Sequence, residues 1–382
     1  MQTLYMDYAA TTPVDPAVAE KMMQYLTADG CFANPASRAH MLGWFAEQAV
    51  EEARLTIAKS IGCDLREVVW TSGATESNNL ALKGVAETRK SQGRHIVTSA
   101  IEHKAVLDTC GWLETQGFDV TYLKPDSKGV ISVAQVEEAL REDTILASFM
   151  WVNNELGSIN PVLEIGALLR DKGVVFHVDA AQAGGKVVMD LANMPIDLVS
   201  FSAHKFYGPK GMGALYVRRD PDLKVAAQMH GGGHERGMRS GTLPTHQIVG
   251  MAEAMKIATD RLQQDFDHLT ALRQQFWQGV SALDEVTVNG DPEAGYPGIL
   301  NVCFAGVDGE SLLMALKDVA VSTGSACNSA SVDPSYVLSG IGLPRDKALS
   351  SLRFSWGRFS TAAEVEQAVA SVTRAVTALR GQ

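Results

Sequence analysis

The chain has 382 residues, of which 46% are hydrophobic and 20% are charged, and its formal net charge is −11 at pH 7. This composition is typical of a compact protein with a large core, and the length favours two domains. The acidic balance argues against a protein whose main task is to grip nucleic acid or an anionic membrane surface.

The amino terminus has no basic segment followed by an apolar run, and no stretch of about 18 apolar residues occurs anywhere. The sequence therefore predicts neither a secretory signal nor a membrane span. The cysteines are odd in number, widely scattered and without a CxxC pair: Cys31, Cys63, Cys110, Cys303 and Cys327. This usage indicates a reducing compartment, and we expect the cytoplasm.

Short apolar runs alternate with amphipathic segments in the first two thirds of the chain. Strands are predicted at VVW, at 95–100, 119–124, 144–152, 174–180, 197–203 and 213–219, and helices at 133–142 and 161–173. This alternation predicts an α/β fold with a mostly parallel sheet and helices on both faces. Ligands of such sheets bind at the carboxyl ends of the strands.

From about Ala258 the pattern changes. A long helix is predicted at 260–283, then short strand-like runs, then a final helix at 364–380. We therefore predict a large α/β domain at 14–257 and a smaller α+β domain formed by 1–13 plus 258–382.

Polar residues follow two of the predicted strands. Asp179 and Gln182 come after one strand, and an aspartate there is by itself more typical of a turn cap. The alternative is a carboxylate that partners a cationic ring, such as the pyridinium of pyridoxal phosphate. Lys205 follows the next strand and precedes a Gly/Pro turn. A strand-end lysine is usually solvated, but in a partly desolvated pocket it can act as a nucleophilic amine.

Two further features fall on the same predicted edge. The run Ser72-Gly73-Ala74-Thr75 is predicted at a helix amino terminus, where N–H groups and the helix dipole favour a phosphate, although an ordinary cap is the simpler reading. His103 follows another strand. A lone histidine is more often a structural hydrogen bonder, and its position on this edge adds weight to a catalytic role.

Cys327 lies in STGSACNSAS, a run rich in Gly, Ser, Ala and Asn. Such composition predicts a loop with little apolar anchorage and an exposed thiol, whose thiolate would be the reactive form. Cys303 lies in an apolar run and is predicted to be in the core.

Motifs along nearly the whole chain resemble those of cysteine desulfurases, in the class V aminotransferase group of fold-type I pyridoxal-phosphate enzymes. They are YMDYAATTPVDP, NPASRAH, TSGATESNN, IEHKAV, VNNELG, HVDAAQ, SAHKFYGPKG, GGGHERGMRSGTLP, STGSACNSAS and RFSWGRFS. The resemblance implies a seven-stranded sheet in the large domain. It also implies a long catalytic-cysteine loop at about 322–335 in the small one.

The resemblance also implies roles for individual residues. Lys205 would form the Schiff base with pyridoxal 5'-phosphate, and His103 would stack on the ring and act as an acid/base. The other cofactor contacts would be Ala74, Thr75, Asn154, Asp179, Gln182, Ser202, His204 and, across a homodimer interface, Thr242. Arg353 would clamp the substrate carboxylate, a task that suits a guanidinium, with help from Asn34.

The implied reaction converts L-cysteine to L-alanine and leaves the sulfur as a persulfide on Cys327. The sulfur would pass to an acceptor thiol on a protein such as an iron–sulfur scaffold or a sulfur-relay protein, for cluster assembly or for cofactor or tRNA thiolation. No direct nucleic-acid or membrane partner is implied. Cys327 would be at most a transient iron–sulfur ligand, and no metal site is expected.

Four residues depart from the usual family pattern: Ala36, Trp151, Ser339 and Trp356. They leave the implied catalytic set untouched, so we expect them to affect the pocket lining or partners. The chain also ends at Gln382, without the longer tail with which some members dock an iron–sulfur scaffold, so delivery to that scaffold is in question.

Three rival activities within the group are a selenocysteine lyase, a cysteine sulfinate desulfinase and an aminotransferase. The Cys327 segment disfavours the last, which needs no nucleophilic thiol. A rival of another class is a non-enzymatic metal or iron–sulfur carrier that uses Cys327 with His230 and His234. The glycines between these histidines are poor helix formers, so the two rings need not share a face.

Overall fold

The computed structural model describes residues 3–323 and 333–381. The strands are β1 Leu4–Tyr5, β2 Val68–Thr71, β3 His95–Ser99, β4 Asp119–Leu123, β5 Thr144–Met150, β6 Val175–Asp179, β7 Leu198–Ser202, β8 Gly213–Val217, β9 Val286–Asn289, β10 Ile299–Phe304, β11 Val319–Ala320 and β12 Ser351–Ser355. The helices are α1 Pro16–Met23, α2 Met41–Ile61, α3 Ala74–Arg89, α4 Lys104–Thr115, α5 Val133–Ala139, α6 Val162–Asp171, α7 Thr245–Asp260, α8 Leu262–Val280, α9 Gly309–Ala315, α10 Tyr336–Gly340, α11 Arg345–Leu349 and α12 Ala362–Leu379.

The central sheet has seven strands in the order β2-β8-β7-β6-β5-β3-β4. Six run parallel to one another, and β8 is antiparallel to both of its neighbours. The predicted α/β class with a mostly parallel sheet is thus confirmed. Strands β3, β5, β6 and β7 are buried at every position, which is why they read as continuous apolar runs rather than alternating ones.

A second sheet of three antiparallel strands, in the order β12-β10-β9, follows in the last third of the chain, and β1 pairs with β11 in parallel. Helix α8 covers most of the predicted long helix, and α12 covers the predicted final one. One cluster of buried apolar residues includes members from both larger sheets. The division into two domains at 257/258 stays a prediction.

Most predicted strands are one or two residues too long at their carboxyl ends. The strand predicted at 144–152 ends at Met150, because Trp151 and Val152 turn into the polar segment that follows. Within residues 3–323 and 333–381 no helix has the length and hydropathy needed to cross a membrane.

Candidate active site

A cavity of about 650 Å³ opens at the carboxyl ends of the parallel strands. Its wall includes most of the residues singled out from the sequence: Ala74, Thr75, His103, Asn154, Asp179, Gln182, Ser202, His204, Lys205 and Arg353. The parallel sheet explains this convergence, because β2, β3, β5, β6 and β7 all deliver their following residues to one edge.

Lys205 ends a short 3-10 turn, Ala203–Lys205, directly after β7. Its Nζ donates to the carbonyl oxygens of Ala9 at 2.7 Å and Ala10 at 2.8 Å. Burial, together with the nearby charge of Arg353, lowers the pKa of this amine to about 8. Near neutral pH a fraction of the Lys205 side chains is therefore present as the unprotonated, nucleophilic amine.

Asp179 is the last residue of β6 and is almost fully buried. Its Oδ2 accepts a hydrogen bond of 2.8 Å from Nδ2 of Asn78, and its Oδ1 accepts one of 2.9 Å from the backbone of Ala181. These partners fix the carboxylate at the floor of the cavity. Asn78 was not predicted as a site residue, although it is a polar side chain on the buried face of α3.

The turn before α3 lies beside the end of β7. Gly73 has φ +151°, a region that side chains rarely adopt. A Cβ on Gly213 of β8 would lie 2.5 Å from the Gly73 Cα, so this close approach needs a glycine at 213, while position 73 needs one for its φ. The first N–H groups of α3 thus come to the cavity next to Ser202.

Two histidines, His103 and His204, line the cavity. His103 caps α4, and its Nδ1 accepts a 3.1 Å hydrogen bond from the Ala105 backbone, so a neutral ring carries its proton on Nε2. His204 has its pKa lowered to about 4, first by burial and then by Lys205. His204 is therefore neutral at physiological pH and acts as a hydrogen-bonding group.

Arg353 reaches the cavity from β12, in the smaller sheet. Its Nη1 donates to the Asn154 carbonyl oxygen at 2.8 Å, and its Nη2 pairs with Oδ1 of Asp7 at 2.8 Å. Among the described residues, Nε of Arg353 and Oδ1 of Asn154 are buried without a hydrogen-bond partner. Such atoms are costly unless a ligand satisfies them. Asp7 was not predicted, because no local pattern marks a partner 346 positions away.

Two predicted site residues, Asn34 and Thr242, are not brought together with this group, and a third lies outside the described residues. Asn34 lines a separate cavity of about 540 Å³, and its Oδ1 accepts from the Ala36 backbone at 2.9 Å. Thr242 is exposed and absent from the wall of the main cavity. Cys327, with most of its predicted loop, lies outside the described residues.

Of the four residues that depart from the family pattern, two are buried and two are exposed. Trp151 and Trp356 are both buried in the main core, where Trp356 packs against Phe276 at 5.7 Å between ring centroids. Ala36 and Ser339 are exposed. Cys303 is buried in β10, which confirms the predicted core position.

Within residues 3–323 and 333–381, no three His, Cys, Asp or Glu side chains lie where they could share a metal ion. His234, one member of the hypothetical carrier site, accepts a hydrogen bond from the Gly241 backbone at 3.3 Å through Nδ1.

The strand-end site on a seven-stranded α/β sheet defines a known class of protein. A family model described as aminotransferase class-V matches residues 4–368, and the chain belongs to that family. A protein named cysteine desulfurase IscS from Vibrio cholerae serotype O1 is 60% identical over 377 residues, which cover 99% of this chain and 93% of that protein. The protein of the same name from Pectobacterium carotovorum subsp. carotovorum is 58% identical over the same shares.

Solved structures agree with this assignment. A NifS-like protein superposes with a TM-score of 0.91 at 37% identity and covers 100% of both chains. A structure described as SspA in complex with cysteine superposes with a TM-score of 0.83 at 40% identity, over 94% of this chain and 100% of that one. The resemblance to cysteine desulfurases drawn from the motifs is confirmed.

Proposed function

We propose that this chain is a pyridoxal-phosphate-dependent cysteine desulfurase that converts L-cysteine to L-alanine and holds the sulfur as a persulfide on Cys327. The observation that carries the proposal is the amine of Lys205, which is buried, has a lowered pKa and shares one cavity with Asp179 and His103. The relatives named cysteine desulfurase support the reaction assigned to this site.

The residues of the cavity fit pyridoxal phosphate. Lys205 offers the amine for a Schiff base, and the fixed Asp179 carboxylate offers a partner for a protonated ring nitrogen. Asn154 has a buried Oδ1 on the cavity wall that has no hydrogen-bond partner among the described residues. The phosphate contacts we assign are Ala74, Thr75, Ser202 and His204. When bound, this cofactor supplies an electron sink for the substrate α-carbon.

The cavity also supplies groups for an amino-acid substrate. Arg353 is assigned the carboxylate, because its Nε has no partner among the described residues. Lys205 would take the proton from the α-carbon, and His103 would move protons through Nε2. A bound cysteine in the related SspA structure supports this substrate class. A role for Asn34 beside Arg353 stays a prediction.

The sulfur-transfer step is assigned to the thiolate of Cys327. A bond forms between its Sγ and the substrate sulfur, while the substrate carbon–sulfur bond breaks and its electron pair stays with the carbon skeleton. Protonation of that skeleton gives alanine. The sum is cysteine plus a thiol giving alanine plus a persulfide, so no external oxidant or reductant is needed.

We assign the persulfide sulfur to an acceptor protein, either an iron–sulfur scaffold or a sulfur-relay protein. The name IscS carried by the relatives supports this class of partner. The few scattered cysteines fit a reducing compartment, and we place the protein in the cytoplasm.

A homodimer is part of the proposal. Large apolar side chains are exposed in the first turns of α2, at Met41, Leu42, Trp44 and Phe45, and Phe32 is exposed in the segment before it. Such a patch is typical of a protein interface rather than of a free surface. We assign this patch to the interface with a second copy of the chain, whose Thr242 would contact the cofactor phosphate.

The proposal is tested by measuring L-alanine formed from L-cysteine by the protein loaded with pyridoxal phosphate. We expect Cys327→Ser to abolish alanine formation while the cofactor stays bound, and Cys31→Ser, a matched control, to keep wild-type activity. L-selenocysteine and L-cysteine sulfinate are assayed in parallel. Alanine formation from cysteine that survives Cys327→Ser, or turnover confined to one of the other substrates, would contradict the proposal.

A further inference from the structure

A second lysine, Lys186, lies close to the candidate cofactor lysine. It follows Gln182 by four residues, and its Nζ donates a 2.7 Å hydrogen bond to Oε1 of Gln182. The same ammonium lies 5.3 Å from the ring centroid of Tyr296. Two narrow cavities, of about 20 and 10 Å³, border the side chain, and the smaller one also borders Lys205.

Lys186 and Lys205 are connected through Gln182 and one backbone carbonyl. Nε2 of Gln182 donates to the Ala9 carbonyl oxygen at 2.8 Å, and Nζ of Lys205 donates to the same oxygen at 2.7 Å. With a donor at Oε1 and an acceptor at Nε2, the Gln182 amide has one favoured orientation. One N–H of this amide is left to meet a ligand in the main cavity, which Gln182 lines.

The surroundings of Lys186 leave its charge uncompensated. Its pKa is lowered to about 7 by burial and then by the charge of Lys205, and no carboxylate of the described residues forms an ion pair with it. The titratable and charged groups around the two narrow cavities are Tyr8, Lys205, Tyr207, Asp265, Tyr296 and Arg358. Asp265 is already engaged by Arg358, with 2.8 Å between Oδ2 and Nη2.

The charge of Lys186 does not act on Lys205 where Lys205 titrates. The pKa of Lys186 is lowered to about 7 and that of Lys205 to about 8, so of the two amines Lys186 loses its proton first. What Lys186 holds in place is Gln182, through the 2.7 Å hydrogen bond to its Oε1.

We propose that Lys186 is a positioning residue for this reaction, which holds Oε1 of Gln182 so that the remaining N–H of this amide faces the cofactor. This inference rests on the proposed function and adds a residue that never touches the substrate. The hydrogen bond can be tested directly, because Lys186→Gln keeps a donor for Gln182, whereas Lys186→Met does not.

The test is the dissociation constant of pyridoxal phosphate, measured by titrating the cofactor into the full-length protein. We expect it to increase several-fold in Lys186→Met and less in Lys186→Gln, which can still donate to Gln182. It should stay near the wild-type value in Lys172→Met, a matched change at an exposed lysine.

An unchanged dissociation constant in Lys186→Met, or an equal increase in Lys186→Met and Lys186→Gln, would overturn the positioning of Gln182. The measurement needs no turnover, so a wild-type protein that binds the cofactor but forms no alanine would refute the proposed function and leave this inference standing.

Discussion

Arg353 and Asp7 form an ion pair, with 2.8 Å between Nη2 and Oδ1, that joins β12 to the segment just after β1. Nη1 is held by the Asn154 carbonyl oxygen, also at 2.8 Å. The guanidinium plane is therefore set before any substrate arrives, and a fixed plane is what two-point recognition of a carboxylate requires.

Arg353→Lys should weaken the binding of cysteine more than it slows the chemical steps. A lysine offers a point charge instead of a planar fork, so the two-point contact is lost. The loss of one charge-assisted hydrogen bond, about 1.5–3 kcal/mol, corresponds to a decrease in kcat/KM of roughly 10- to 150-fold, carried mostly by KM. Steady-state kinetics check this, with the exposed Arg374→Lys as control. A fall in kcat at unchanged KM would contradict the assignment.

Glu155 predicts a pH dependence of stability. Burial raises the pKa of its carboxyl to about 7, although the 2.5 Å hydrogen bond from Ser335 and the charge of Arg353 oppose the shift. An acid with a raised pKa binds more protons in the folded than in the unfolded state. Its contribution to stability is therefore full below about pH 4.5 and decreases as pH rises toward 7.

Glu155→Gln should remove this part of the pH dependence, because the amide oxygen can still accept from Ser335 but carries no charge. We expect the variant to gain up to about 3 kcal/mol over the wild type between pH 5 and pH 8. Urea unfolding at the two pH values measures the difference. An equal change in wild type and variant would show that Glu155 does not titrate in this range.

The ion pair between Arg54 and Glu235 is buried, with side-chain exposures of 3% and 2%. The two residues share hydrogen bonds of 2.8 and 2.9 Å, and Glu235 also accepts from the Trp70 backbone. Glu235→Gln should cost about 3 kcal/mol, because it leaves the buried guanidinium with only the half-exposed carboxylate of Glu51, 3.1 Å from its Nε.

The matched control is Asp119→Asn in the exposed pair with Arg141, which should cost far less than the change at Glu235. Urea unfolding measures both variants. Comparable losses of unfolding free energy in the two variants would mean that burial does not determine how much the pair of Arg54 and Glu235 stabilises the fold.

The exposed apolar patch predicts the oligomeric state. Leu42→Glu combined with Phe45→Glu places two charges in it and should convert a dimer to single chains of 41.0 kDa. Leu163→Glu changes a similarly exposed leucine on α6 and should leave the dimer intact. Sedimentation velocity distinguishes these outcomes. A double variant that remains dimeric would show that the patch is not part of the dimer interface.

Local patterns predicted the positions that depend on one strand and its end. Asp179, Lys205 and His103 each follow a buried apolar run, and a parallel sheet brings such ends together whatever the loops do. Partners from distant segments left no such signal. Neither the Ala9 carbonyl beneath Lys205 nor Asp7 beside Arg353 can be read from spacing, because tertiary packing alone brings them there.

Two predicted site residues lie away from the cavity in the fold of a single chain. Asn34 and Thr242 came from the family resemblance, and both lie away from the cavity of their own chain. The interior lysine Lys186 was missed for another reason. In sequence it is one polar residue after two glycines, and only the fold shows that its ammonium ends beside Gln182.

The most direct test of the central claim is where pyridoxal phosphate attaches. The loaded protein is reduced with borohydride, digested and analysed by mass spectrometry. We predict that the pyridoxyl group is found on the peptide containing Lys205, and that Lys205→Ala shows neither this label nor the visible absorbance. A label on Lys186 or Lys210 in the wild type, or colour and alanine production that persist in Lys205→Ala, would contradict the account.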